Sequence, residues 1–230
     1  MAEVVTNGYL IDKIDYQTFD EIITFINVHG NKFTAIARGT KRIRSHNARN
    51  LQIGNYCEFK FFLARLDNKV SKLVWAHTIK PISWPNLKQS FATLNLLAKQ
   101  LIYPNKANFL FYRSMLNYIN NSKIDDKKAE LIILRNYCHL TGIDIHVNNC
   151  VVCHNHHIKT ISFKHHGLLC GRCFNNLKEV FFPLELSKLS YFLFKNQYDK
   201  LNMYSKYYSK LIKLLKEYIK QNNGTFFTNM

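Results

Sequence analysis

Several features are missing from this 230-residue sequence, and each absence excludes a class of protein. No apolar run approaches the roughly 18 residues that a membrane helix requires, so we expect no membrane partner. The first ten residues, MAEVVTNGYL, contain no cationic segment followed by an apolar one. We therefore expect a cytoplasmic protein without disulfide bonds. The sequence also lacks a GxxxxGKS or GxxxxGKT phosphate loop and a convincing cluster of carboxylates, so neither nucleotide hydrolysis nor metal-dependent cleavage is indicated.

Acidic residues are scarce. Lys and Arg together number 32 against 15 Asp and Glu, for a formal net charge of +17. Such an excess is typical of proteins with a polyanionic partner, either nucleic acid or an acidic membrane face, and of these two we expect nucleic acid. Because abundant Asn, Lys, Ile, Phe and Tyr are also typical of AT-rich coding sequences, the position of the charge is more informative than its total.

Two CxxC pairs are the most specific motif in the chain. Cys150 and Cys153 form the first pair, Cys170 and Cys173 form the second, and residues 154–169 separate them. This spacing is typical of a zinc ribbon. Four thiolates fill a tetrahedral site and leave no position for water or substrate. The motif therefore predicts one structural Zn²⁺ ion in an insertion at about residues 146–176.

The sequence leaves open whether a histidine takes part in the metal site, and two further cysteines lie outside the motif. One histidine of a neighbouring cluster could replace a cysteine as ligand, although we interpret these side chains as surface of the hairpin: His154, His156, His157, His165 and His166. Cys57 and Cys138 lie in apolar stretches, and we expect them to be small core residues.

The first 80 residues are rich in Val, Ile, Phe, Thr and Tyr in short runs. Turns are predicted at His29-Gly30-Asn31 and Asp67-Asn68. Five strands in this length favour a closed barrel of the OB type, with a small SH3-like barrel as the alternative. The expected strands are Val4–Ile14, Glu21–Asn27, Lys32–Ala37, Tyr56–Arg65 and Val70–Ile79.

A basic segment, residues 38–50, separates the third and fourth strands. It holds five fixed cations and no acid, and the cations are Arg38, Lys41, Arg42, Arg44 and Arg49. Four of them are arginines in a chain otherwise dominated by lysine, which indicates a need for planar, bidentate phosphate contacts. We predict that these five residues bind DNA through its phosphates. Arg172, between the last two cysteines, is a secondary candidate.

Beyond Pro81 and Pro85 the hydrophobic period becomes helical. This change predicts a domain boundary, with an OB-fold domain at 1–80 and an α-helical domain at 81–230 that contains the zinc insertion. The fold class is therefore α+β. The apolar positions expected on buried helix faces are Phe91, Leu94, Ala98, Leu101 and Ile102, then Tyr112, Met115, Leu116 and Ile119, then Leu131, Ile132, Ile133, Leu134, Tyr137, Cys138 and Leu140, and finally Leu211, Leu214, Leu215, Tyr218 and Ile219.

Three stretches of the chain are similar to one known family. The first combines strand and turn residues, the second leads into the cysteine motif, and the third closes it. The first stretch contains Asp15-Tyr16, Asp20–Thr24, His29-Gly30 and Ala35–Gly39. The second contains Leu134-Arg135 and Leu140–Gly142, and the third is Gly167–Cys173. In order and spacing they resemble the bacterial DNA repair protein RecO family over nearly the whole chain.

The resemblance implies a non-catalytic, nucleoid-associated mediator of recombinational repair. Proteins of this family bind single- and double-stranded DNA and anneal complementary strands, even those coated by single-strand-binding protein. With RecR they assist the loading of RecA on gapped DNA. The implied partners are therefore DNA, RecR and single-strand-binding protein, with RecA as an indirect partner. Two other hypotheses are a zinc-dependent nucleic-acid enzyme, such as a nuclease, and an RNA-binding zinc-ribbon module.

Overall fold

The structure is a computed structural model, and it describes residues 2–64, 70–83, 87–121 and 123–223. The predicted turn at Asp67-Asn68, the predicted strand end at Arg65 and Pro85 lie outside the described residues. The chain divides into two compact units, residues 1–122 and 123–230.

Five strands in the first unit form a closed barrel. They are β1 (Glu3–Tyr16), β2 (Asp20–Asn27), β3 (Lys32–Ala37), β4 (Tyr56–Phe62) and β5 (Ser71–Lys80). Their order is β1-β2-β3-β5-β4, and β4 closes the barrel by pairing with β1. β3 and β5 pair in parallel, whereas the other neighbours are antiparallel. The prediction of a five-stranded OB-type barrel is confirmed, and closure leaves no free sheet edge in it.

The long strand β1 pairs with a different neighbour in each half of its length. Residues 3–9 pair with β4, residues 8–16 pair with β2, and a bulge at Ile11 interrupts the ladder with β2. Gly8 lies where the two ladders overlap, and a Cβ there would come within 2.4 Å of the carbonyl oxygen of Ile26. A glycine at this position therefore permits the close approach that closes the barrel.

Alternating side chains of the strands fill the barrel interior. The rings of Phe25 and Phe59 stack with centroids 4.1 Å apart, and Phe61 packs edge-on against Phe25. The sulfur of Cys57 is also buried there, as predicted. Two helices complete the first unit, α1 (Lys88–Gln100) and α2 (Lys106–Asn121).

The helix α2 contacts both the barrel and α1. Tyr112 is fully buried, its ring centroid lies 5.4 Å from that of Tyr9, and its hydroxyl donates to the side-chain oxygen of Asn95 at 2.7 Å. The predicted buried face is confirmed at Leu94, Ala98 and Leu116, among others. Ile102 was predicted wrongly. α1 ends at Gln100, and Ile102 is 64% exposed because the helical period does not continue to it.

The second unit is built around α3 (Asp126–Leu140). The side chain of Asp125 caps its first turn by accepting hydrogen bonds from the backbone N–H groups of Lys127 and Lys128. Gly142, with a φ of +74°, ends the helix: its N–H donates to the carbonyl of His139, and that of Ile143 donates to Cys138. This is a Schellman motif. Residues 131–134 are buried, as expected for a central helix.

A small sheet and further helices follow α3. The sheet has the order β6-β8-β7 and comprises β6 (His146–Cys150), β7 (Ile158–Ser162) and β8 (Gly167–Cys170). The helices are α4 (Gly171–Leu177), α5 (Leu184–Phe194) and α6 (Tyr208–Asn223), with a 3₁₀ segment at Tyr198–Tyr207 before α6. α6 packs its apolar stripe against α3, and Lys216 forms a salt bridge with the buried carboxylate of Glu130 at 2.7 Å. Among the described residues, no helix combines the length and hydropathy needed to cross a membrane.

Candidate metal centre and nucleic-acid interface

The structure brings the four predicted cysteine ligands together. Cys150 ends β6, Cys153 lies in the following turn, Cys170 ends β8, and Cys173 is in the first turn of α4. All four sulfur atoms lie within 4.8 Å of one another, and those of Cys153 and Cys170 are 3.5 Å apart. A tetrahedral zinc site with bonds of about 2.3 Å requires sulfur separations of about 3.8 Å. The cluster can therefore hold one such ion with little movement.

Backbone hydrogen bonds shape the two cysteine turns. The N–H of Cys150 donates to the carbonyl of Asn155, and the carbonyl of Cys150 accepts from His154. The sulfur of Cys170 caps α4 by accepting from the backbone N–H of Cys173 at 3.5 Å. Such amide donors favour thiolate over thiol, which is the form that binds a metal.

The proton affinities of the thiols differ strongly across the cluster. Burial raises the pKa of Cys150, but backbone N–H groups of Cys170, Cys153 and Val152 outweigh it and lower the pKa to about 6. A backbone hydrogen bond from Cys173 lowers the pKa of Cys170. The pKa of Cys173 is raised, chiefly by its hydrogen bond with the Cys153 side chain. Adjacent thiolates repel each other, so they do not all ionise readily, and a central dication would remove that repulsion.

The neighbouring histidines are not part of the cluster. Among the described residues, the only group of three or more Cys, His, Asp or Glu side chains close enough to share a metal is the four cysteines. His165 instead forms a contact of 3.2 Å with Glu179, and Nδ1 of His166 lies 2.7 Å from the hydroxyl of Tyr218. His154, His156 and His157 are exposed. His166 is exposed as well, whereas His165 is half-buried, so the surface interpretation holds for four of the five histidines.

All five cations of the basic loop, residues 38–50, are exposed. The loop leaves β3 through Gly39, which has a φ of +65°. The N–H of Gly39 donates to the carboxylate of Asp20 at 2.8 Å, and that of Lys41 donates to the carbonyl of Phe19 at 3.1 Å. The first half of the loop is thus attached to the turn between β1 and β2.

Two asparagines attach the second half of the loop to β5. The side-chain oxygen of Asn47 accepts from the backbone N–H of Ala76 at 3.0 Å, and that of Asn50 accepts from Thr78 at 3.2 Å. Leu51 then enters the barrel core and is fully buried. The loop is therefore held at both ends, and its central residues face solvent.

The five cations are not electrostatically equivalent. Lys41 forms a salt bridge of 2.7 Å with Asp15, an exposed residue of β1. Within the described part of the chain, none of the four loop arginines has an acidic partner within ion-pair distance. The guanidinium carbon of Arg42 lies 5.2 Å from the centroid of the Phe19 ring. Arg172 is exposed in α4. The predicted phosphate-binding role of all six residues stays a prediction.

The contacts that position the loop could not be predicted from spacing. Asp15, Phe19 and Asp20 belong to the neighbouring hairpin, and Asn47 and Asn50 are polar residues of a kind common in any loop. Of the barrel aromatics that could have stacked bases, Phe59 and Phe61 are core residues. Exposed aromatics occur instead at Tyr16 and Phe19, which are 37% and 48% exposed.

Comparisons with known proteins agree with this architecture. Residues 1–82 match the family described as "Recombination protein O N terminal", and residues 93–227 match "Recombination protein O C terminal". The "DNA repair protein RecO" of Mesoplasma florum is 25% identical over 189 residues, which cover 78% of this chain and 70% of the relative. That of Mycoplasma mycoides is 22% identical over 207 residues, covering 85% and 82%. That of Desulfatibacillum aliphaticivorans is 27% identical over 177 residues, covering 66% and 62%.

The chain has an OB-type barrel followed by a helical unit with a four-cysteine cluster, and both parts match the family models. These features define a protein of DNA repair and recombination. The chain belongs to the recombination protein O (RecO) family.

Proposed function

We propose that the protein is a non-catalytic DNA-binding recombination mediator. It binds single- and double-stranded DNA, anneals complementary strands coated with single-strand-binding protein, and assists RecA loading together with RecR. The observation that carries this proposal is the basic loop: five exposed cations on a segment held to the barrel at both ends. An anchored loop presents its charges in a fixed pattern, so less entropy is lost when phosphates bind.

The proposed mechanism is electrostatic, and the protein makes or breaks no covalent bond in it. Two DNA strands repel each other through their phosphates, and a cationic surface that binds both reduces the repulsion that slows pairing. Base pairing then supplies the free energy of annealing, and no nucleotide hydrolysis is required. Arg38, Lys41, Arg42, Arg44 and Arg49 are the proposed phosphate contacts.

We further propose that the cysteine cluster holds one zinc ion with a structural role. Cys150, Cys153, Cys170 and Cys173 supply four sulfur donors, the set typical of closed structural zinc sites. An ion there would join β6, β8 and α4. Because four thiolates leave no coordination position for water, the donor set supports a contribution to folding rather than to hydrolysis.

Strand annealing is the direct test. Complementary oligonucleotides are coated with the cognate single-strand-binding protein, and duplex formation is followed without ATP. We expect the protein to accelerate annealing and the variant Arg42→Ala/Arg44→Ala/Arg49→Ala to lose most of that acceleration. A charge-matched control replaces Lys206, Lys213 and Lys220, which are exposed in the second unit. DNA binding without acceleration, or equal loss in both triple variants, would contradict the proposal.

A further inference from the structure

A cavity of about 530 Å³ lies where the turn between β1 and β2 meets the start of the basic loop. Its volume is within the range of about 300–1,000 Å³ that is typical of small-ligand pockets. The lining residues that matter chemically are Tyr16, Gln17, Asp20, Arg38 and Arg42.

The cavity lining includes one aromatic residue and two cationic residues. The ring of Tyr16 is partly exposed, and Arg38 and Arg42 are both exposed at the rim of the loop. The position of the Arg42 guanidinium over the Phe19 ring favours one orientation of its planar group by a cation–π contact. An aromatic face beside two planar cations matches the two parts of a nucleotide, because bases stack on aromatic rings and guanidinium groups bind phosphate.

The lining also offers acceptors for the edge of a base. Asp20 uses one carboxylate oxygen to accept from the N–H of Gly39 at 2.8 Å. Asp20 and Gln17 both line the cavity, which is larger than an inorganic phosphate would fill. The lining residues include two arginines and one carboxylate, so the net charge of the site is positive.

We propose that this cavity holds one nucleotide of single-stranded DNA, with its base against Tyr16 and an adjacent phosphate on Arg38 and Arg42. The inference rests on the DNA binding proposed above and adds a specific base-stacking residue to it. A base inside a duplex is already stacked between its neighbours. The cavity should therefore favour single-stranded over double-stranded DNA, whereas the loop cations serve both.

Photocrosslinking tests the placement of the base in the unmodified protein. Single-stranded oligonucleotides that carry 5-iodouracil at successive positions are bound and irradiated, and the crosslinked peptides are sequenced by mass spectrometry. The expected crosslink is at Tyr16. Crosslinks confined to other residues would overturn the inference, and this result does not depend on the folding of any variant.

Affinity measurements test the energetic role. Tyr16→Ala should lower affinity for single-stranded DNA by about tenfold, since stacking on one aromatic residue contributes a factor of about 5 to 150. Affinity for duplex DNA should be unchanged, and Tyr16→Phe should retain single-strand affinity because it keeps the ring. Tyr103→Ala removes another exposed aromatic residue, 82% exposed and outside the cavity lining, and serves as the matched control.

The two proposals fail in different ways. The protein could bind single-stranded DNA with a strong salt dependence while Tyr16→Ala behaves like the parent protein. That result would overturn the nucleotide site but would still support phosphate binding by the basic loop. If the parent protein binds neither form of DNA, the proposed function fails and the nucleotide site fails with it. An equal loss for single-stranded and duplex DNA in Tyr16→Ala would also overturn the stacking role.

Discussion

The side-chain oxygen of Asn50 accepts two hydrogen bonds from Thr78, one from its backbone N–H at 3.2 Å and one from its hydroxyl at 2.9 Å. The backbone carbonyl of Asn50 also accepts a hydrogen bond from the side-chain amide of Asn55 at 3.1 Å. One side chain therefore joins the end of the basic loop to β5. This attachment gives a largely irregular segment a defined position on the barrel.

Replacing Asn50 with Ala should loosen the loop. We expect a loss of unfolding free energy of about 1–3 kcal/mol, because the N–H of Thr78 would lose its acceptor in a partly buried site. DNA affinity should fall while the salt slope is retained, since the number of cations is unchanged. Urea unfolding and salt-dependent DNA binding would measure the two effects. His46→Ala, an exposed change within the same loop, should alter neither, and an unchanged stability of Asn50→Ala would contradict the anchoring role.

The salt dependence of DNA binding should report the loop cations directly. If all five contact phosphates of single-stranded DNA, log K should fall with log salt concentration with a slope of about −3.5. Removing Arg42, Arg44 and Arg49 should reduce this slope to about −1.4 and weaken binding to all sequences alike. Fluorescence anisotropy over a range of salt concentrations would measure the slopes. A loss confined to particular sequences would rule out the phosphate-contact interpretation.

Asp15→Asn should strengthen DNA binding. Asp15 forms an ion pair with Lys41, and the substitution would release that cation for phosphate while removing a negative charge from the loop's surroundings. Because exposed ion pairs contribute at most about 1 kcal/mol, the expected gain in affinity is a factor of about 2 to 5. Asp199→Asn makes the same change of charge at an exposed residue of the second unit. An equal gain from both variants would show that only net charge matters.

Removal of zinc should destabilise the second unit. We expect one zinc ion per chain and a loss of more than about 3 kcal/mol in Cys170→Ser, since zinc binding contributes on the order of 10 kcal/mol in small zinc domains. Elemental analysis and thermal unfolding, with and without a chelator, would measure both. Cys138→Ala removes a buried cysteine outside the cluster, and it should keep the metal. Absence of zinc from the parent protein, together with an unchanged melting temperature in Cys170→Ser, would refute the zinc site.

Stability should decrease at alkaline pH through Tyr112. Burial raises the pKa of this hydroxyl far above its usual value, and the nearby Tyr9 raises it further. The unfolded chain ionises from about pH 10 whereas the folded chain does not, so the stabilisation is complete below about pH 10 and is lost as the pH rises above it. Tyr112→Phe should reduce this decline. It should also lower stability near neutral pH by about 1 kcal/mol, because the hydrogen bond to Asn95 is lost.

Urea unfolding at about pH 8 and about pH 11 would test the alkaline prediction. Tyr103→Phe is the control, since Tyr103 is 82% exposed. A parallel decline in the parent protein and in Tyr112→Phe would assign the effect to other groups.

Local patterns were sufficient to predict much of this protein. Short runs rich in Val, Ile, Phe, Thr and Tyr, separated by turn residues, predicted the strands, because β-branched and aromatic side chains pack well on a pleated sheet. The CxxC spacing predicted that the four cysteines cluster, since two intervening residues allow a tight turn to direct both sulfurs to one point. The composition of residues 38–50 predicted an exposed cationic loop. The cap at Asp125 and the helix end at Gly142 are local features too, because both depend on neighbours within about one helical turn.

Relationships between distant residues were decided only by the tertiary structure. The parallel pairing of β3 with β5, the attachment of Asn50 to Thr78 and the ion pair of Lys41 with Asp15 join residues far apart in sequence. No short-range pattern encodes them, because which strands become neighbours depends on how the whole barrel closes. The cavity beside Tyr16 exists for the same reason. The sequence alone determined which side chains are apolar, cationic or thiol-bearing, and the tertiary structure determined which of them meet.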